Sequence, residues 1–258
     1  MISARRVSTI AVNTAREALR NKVLYVLLFF ALLLIGTGVL VSMLSYVEGE
    51  RILQDVGLAA IRLFGAGMAI FMGVGIIHRE IDRRTLYTVL SKPVSRSEFI
   101  LGKYLGLVGT LWMQVAIMGV GFAAVSLLAG APLGGGHAAA IGLAGFELAV
   151  LVAVATLFSS MSTPLLASLF TAGLYMIGHF VRDLRGLGAA SRSERIEAVT
   201  NALSRVLPDL EHFNVTVQAV HGLPLEAREI WLPVLYAVGW SALLLVAASL
   251  VFERRDLR

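Results

Sequence analysis

The sequence predicts an all-α polytopic membrane protein, with six transmembrane helices behind an N-terminal amphipathic surface helix. Three observations lead there. Of its 258 residues, 57% are hydrophobic and only 15% charged, and the mean hydropathy is +0.81; a soluble domain carries about a quarter charged residues. The apolar residues are gathered into six runs, 23–46, 57–77, 105–131, 138–160, 164–181 and 231–252, each about as long as a helix must be to cross roughly 30 Å of hydrocarbon. Only two charged side chains, Arg62 and Glu147, fall inside these runs.

Residues 1–22 precede the first run. Val7, Ile10, Ala11, Ala15, Ala18 and Leu19 recur at helical spacing, with Arg6, Asn13, Arg16 and Arg20 on the other face. This is the pattern of a helix lying in a membrane surface. Five Lys/Arg and no apolar core read against a signal peptide. Between the fifth and sixth runs, residues 182–230 are too long for a passive turn. There Ser191-Arg192-Ser193-Glu194 has the form of a capping box. The stripe Ile196, Val199, Leu203, Val206 and Leu207 follows, and Pro208 ends it, which predicts an amphipathic helix of about four turns on the outer face. The chain has no cysteine, so disulfides and thiolate chemistry are excluded. It also lacks a Gly-x4-Gly-Lys-Ser/Thr string, since Gly102-Lys103 is followed by Tyr104. An ATP-binding P-loop is therefore not expected in this chain.

Charge sets the orientation. Segments 1–22, 78–104, 161–163 and 253–258 carry fourteen Lys/Arg against six acids, and segments 47–56, 132–137 and 182–230 carry seven against ten. Basic residues concentrate on the cytoplasmic side, which predicts cytoplasmic termini. The high pI is then a topology signal and does not point to nucleic acid.

The loop at 78–104 holds the most specific pattern. Ile81, Leu86, Val89 and Leu90 can carry the second helix out of the membrane, and Ser91-Lys92-Pro93 forces a turn. Ser95-Arg96-Ser97-Glu98 forms a second capping box, opening a helix that continues through Phe99, Ile100 and Leu101 into the third span. Running from 96 to 131, that helix would measure roughly 54 Å and must project beyond the bilayer. The string Glu80, Arg83-Arg84-Thr85-Leu86, Leu90-Ser91-Lys92-Pro93-Val94-Ser95-Arg96 and Leu101-Gly102-Lys103 resembles the first cytoplasmic loop of type-2 ATP-binding-cassette (ABC-2) transporter permeases. Arg84 stands where many members have glycine. The resemblance extends to Leu207-Pro208, Phe213-Asn214 and the Phe252-Glu253-Arg254-Arg255 end. The subgroup it looks most like is the permeases that resemble the one for nitrous oxide reductase maturation.

The resemblance implies that residues 1–258 form a single transmembrane permease domain of an inner-membrane exporter. Such a chain is non-catalytic and binds no cofactor. It works as a dimer with a second permease chain and two separate ATPase subunits, which hold ATP and magnesium. By the same analogy, Glu80, Arg83, Arg84, Thr85, Leu86, Pro93, Arg96 and Lys103 belong to the ATPase-coupling element, and residues 159–164 form a second, smaller contact through small polar groups.

A carboxylate within a span is expensive and marks a functional candidate. Glu147 could line a transport route, accept a proton or pair with a cation; Arg62 could reach it or snorkel outward. His78 and His179 read as solvated histidines at span ends. Met68 and Met72, four apart, have the spacing of soft metal ligands, but apolar packing accounts for them and no metal site is expected. Gly65, Ala69 and Gly73, and Gly102, Gly106 and Thr110, form small-residue ridges suited to internal helix packing. Two other readings are a membrane anchor or scaffold and an intramembrane enzyme using Glu147 with a histidine; the latter lacks a Ser/His pairing or a His-Glu-x-x-His helix.

Overall fold

The computed structural model describes residues 3–44, 48–82, 95–190 and 193–254. Its helices are α1 (Ala4–Leu19), α2 (Lys22–Ser42), α3 (Gly49–Asp82), α4 (Arg96–Leu128), α5 (Gly135–Met161), α6 (Pro164–Ala190), α7 (Glu194–Val206), α8 (Thr216–Val220) and α9 (Ala227–Arg254), with a 3-10 turn at Leu210–Phe213. The described residues contain no strand. Six helices, α2 to α6 and α9, are long and apolar enough to cross a membrane, and they coincide with the six apolar runs. The main difference lies at α3, which begins at Gly49 and not at 57. Glu50, Arg51, Gln54 and Asp55 do not oppose a helix; they only oppose hydrocarbon, so the backbone stays helical beyond the apolar stretch.

Helix α5 is the centre of the bundle. Every residue from Glu147 to Thr156 is buried, on all faces of the helix, as expected for a helix that is apolar all round. Helices α3, α4, α6 and α9 pack against it, and α2 flanks α3 and α4. Glycines set the close approaches. A Cβ at Gly73 would come within 2.5 Å of the Ala155 Cβ, and one at Gly65 within 2.6 Å of Leu148 Cδ1. The α3 ridge is thus internal packing against α5. The outer helices keep large apolar side chains uncovered, including Phe29, Phe30 and Leu40 of α2, Leu169 and Phe180 of α6, and Trp231 and Leu235 of α9. Such faces suit lipid, where apolar exposure carries no penalty.

The two ends of the bundle differ. The proximal end holds α1, the end of α3 and the start of α4; the distal end holds α7, the 3-10 turn and α8. At the distal end the chain between α7 and α9 folds back into the core. Leu210 and Phe213 are fully buried, Leu210 sits over Gly178 of α6, and the Asp209 N–H donates to the Tyr236 hydroxyl oxygen of α9 at 2.8 Å. Truncating Phe213 to alanine should cost about 3–5 kcal/mol and lower the thermal midpoint of the detergent-solubilised protein. An unchanged midpoint would mean that this plug is dispensable to the fold.

Helix α7 exists as expected, with a different start. Its N-cap is Ser193, whose side chain makes no capping bond; Ser191 and Arg192 of the expected capping box lie outside the described residues. Among its described side chains Thr200 and Ser204 are buried, whereas Ile196, Val199 and Leu203 are exposed. The helix therefore rests on α6 while the chain leaves Ile196, Val199 and Leu203 of its apolar stripe uncovered.

Candidate functional site

Arg62, Glu147 and His179 meet where α3, α5 and α6 come together. Counted from the distal ends of their helices, they lie about 20, 18 and 16 Å down at 1.5 Å per residue. Of the alternatives the sequence left open for these two charges, the pair is made: Arg62 Nε and Nη2 both approach Glu147 Oε2, at 3.1 and 3.0 Å. Glu147 is 1% exposed at its side chain and Arg62 15%. Isolated in a low-dielectric interior, the carboxylate would be strongly unfavourable. The guanidinium offsets that cost with one hydrogen bond, from Nε, and a second close charge contact from Nη2.

The histidine is the part that sequence reasoning missed. His179 is not a solvated end-of-span residue. Its Nε2 lies 2.9 Å from Arg62 Nη2 and 3.2 Å from Glu147 Oε1. Its Nδ1 is 2.9 Å from the Tyr175 carbonyl oxygen, one turn earlier, and the two rings meet edge-on at 4.6 Å. The one available signal was depth: the C-terminal extension of α6 to Ala190 places His179 well inside the helix and at the level of Glu147. Met68 and Met72 are fully buried in the apolar core, and the described residues contain no group of three or more His, Cys, Asp or Glu able to hold a metal ion.

The proximal end carries the second set of candidates. The Ser95–Glu98 capping box forms as expected: Ser95 Oγ accepts from the Glu98 N–H at 3.2 Å, and Glu98 Oε2 accepts from the Ser95 N–H at 2.9 Å. Its other oxygen, Oε1, accepts from the Ser3 N–H at 2.6 Å, and Arg6 Nη1 stands 3.8 Å from Oε2. One carboxylate thus caps α4 and fastens the start of α1 to it. Helix α1 is therefore more than a surface helix. Its buried face, Val7, Thr14 and Ala18, lies on α4, where Gly102 faces Val7 and Ile10 and Gly106 faces Ala11 and Thr14. A Cβ at Gly106 would strike the Ala11 carbonyl oxygen, so the α4 ridge is the seat of α1.

Lys103 also belongs to this seat. It is 4% exposed, with Nζ 3.6 Å from Glu17 of α1 and 5.6 Å from the Phe99 ring centroid. A buried ammonium needs such partners, and through them Lys103 holds α1 against α4. Glu80 falls in the last turn of α3 and Arg96 is the first residue of α4. Arg83, Arg84, Thr85, Leu86 and Pro93 lie outside the described residues.

The short α5–α6 turn keeps most of its serine hydroxyls on its own backbone. Ser159 Oγ donates to the Val74 carbonyl oxygen at 3.4 Å, and the hydroxyls of Ser160 and Ser162 donate to carbonyls of α5. With these hydroxyls turned inward, Met161, Thr163 and Pro164 are what the turn exposes.

A search of curated proteins found no match. A scan against protein families matched residues 8–257 to the ABC-2 family transporter protein family. That range takes in all six membrane-spanning helices, α7 and most of α1, and the chain belongs to the ABC-2 family of transporter proteins.

Proposed function

We propose that this chain is the permease subunit of an ABC exporter, paired with a second permease chain and driven by two separate ATPase subunits that hold ATP and magnesium. The family match over residues 8–257 carries this reading. Within the family, the loop pattern from Glu80 to Lys103 favours the subgroup that resembles the nitrous oxide reductase maturation permeases. Helices α3 and α4 have 34 and 33 residues, about 51 and 50 Å. They outrun the hydrocarbon and flank residues 83–94, as levers bearing on an ATPase must. In this reading Glu80, Arg83, Arg84, Thr85, Leu86, Pro93 and Arg96 meet the ATPase. Lys103 acts one step back by fixing α1 to α4. The chain itself does no chemistry.

Two measurements test the proposal. Reporter fusions after Lys22, between 185 and 206, and after Arg258 should read cytoplasmic, external and cytoplasmic; an external C-terminus would overturn the orientation in the inner membrane. Tagged protein drawn from native membranes should bring down an ATPase whose hydrolysis responds to this chain. Purification without any ATPase would favour an anchor or scaffold.

A further inference from the structure

We propose that Arg62, Glu147 and His179 form a proton-binding site, in which uptake of a proton at His179 Nε2 exchanges the Arg62–His179 hydrogen bond for one from His179 to Glu147 and frees the Arg62 side chain. The argument starts from the Tyr175 carbonyl oxygen, which can only accept. At 2.9 Å from it, His179 Nδ1 carries a hydrogen. In the neutral ring, Nε2 is then a lone pair, and it accepts from Arg62 Nη2 at 2.9 Å. Glu147 Oε1, fully buried, faces that lone pair and has no hydrogen-bond donor. Each of the other contacts in the trio is satisfied; this oxygen is not.

A proton from solvent reverses the balance. An N–H bond forms at Nε2, and the only bond broken is the one to the water that carried the proton. The new donor reaches Oε1 from 3.2 Å and satisfies the orphaned oxygen. It also sets two cationic donors 2.9 Å apart, at Nε2 and Arg62 Nη2, so one of them must give way. His179 is tethered through Nδ1 and Glu147 is enclosed. Arg62, with the longest side chain and 15% exposed, is the one able to move. The groups acting on His179 are Arg62 from α3, Glu147 from α5 and Tyr175 from its own helix; no ionisable group of α7 or of the 3-10 turn, among the described residues, acts on it. The trio is neutral before the proton arrives and carries one positive charge afterwards. A charge change at this depth between three packed helices is a means of linking proton uptake to their rearrangement; that functional half rests on the permease reading.

The test begins with the wild-type full chain in lipid nanodiscs carrying nitrogen-labelled histidine and arginine. His179 is assigned by magnetic resonance through its contact with the labelled Tyr175 carbonyl, so no variant has to fold. Between about pH 8 and about pH 5, the range in which histidine changes charge, its ring should pass from singly to doubly protonated, and the Arg62 guanidinium signal should move with it. A ring that holds one protonation state throughout, or one that titrates while Arg62 stays still, overturns the site. Neither readout needs an ATPase, so failure here is separate from failure of the permease assignment. In the complex with its ATPase, the ratio of hydrolysis rates at those two pH values should fall to about one in His179→Gln. A ratio that stays at its wild-type value overturns the link to transport.

Discussion

Glu80→Arg combined with Arg84→Glu is expected to leave the protein inserted at its normal level but without its ATPase on purification. Both residues lie on the 78–104 loop, outside the two apolar runs that flank it, so the exchange conserves net charge and leaves the spans untouched. An interface of charged pairs fails differently. Truncating one partner of a buried pair costs 2–5 kcal/mol or more, and placing like charges together costs several; either is enough to dissolve a complex of moderate affinity. If some association survives, ATP hydrolysis should continue uncoupled from transport. The control is the same kind of exchange at Arg192 and Glu197, near the start of α7, which should leave the complex intact. A loop variant that keeps both its ATPase and full transport would remove this segment from the coupling role.

The second large effect belongs to the bundle interior. Arg62→Ala and Glu147→Ala should each destabilise the protein by about 3–5 kcal/mol, because each strands a charge in a low-dielectric setting. The double variant should be no worse than the worse single one, since the partners, 85 residues apart in sequence, share a hydrogen bond and an ion-pair contact on one oxygen. Additive losses would show that they act independently. Glu147→Gln keeps the shape, and it should impair transport more than folding if the carboxylate lines the route. Expression level, thermal midpoint and transport measured on the same preparations separate these outcomes.

How much of this could be read from the sequence follows from how far each interaction reaches. Six spans were legible because bilayer thickness demands a fixed length of apolar helix, whatever packs around it. The Ser95–Glu98 cap was legible because it closes within one turn. The Arg62–Glu147 pair could be weighed from depth alone, as the only two charges in apolar runs. The Ser3 bond to Glu98 joins residues 95 apart, and His179 meets Arg62 across 117; no periodicity in the sequence encodes such distances. The inward bonds of the serines in the α5–α6 turn were hidden for a related reason. A hydroxyl reads as surface polarity until the backbone it can turn back upon is known. Leu210 and Phe213 likewise look like part of an ordinary loop until α6 and α9 are in place to cover them.

The order in which the trio appears along the chain matters during biosynthesis. Ribosomes deliver Arg62 first, then Glu147, then His179, and an insertion channel releases helices to lipid in roughly that sequence. When α5 enters the bilayer its carboxylate meets a guanidinium already resident in α3, whereas the imidazole of α6 arrives last. Glu147 therefore never has to cross into lipid alone, and Arg62 serves as its escort. A nascent chain stopped just after α5 should already hold that helix in the membrane, and the same truncated chain carrying Arg62→Ala should let it slip back out.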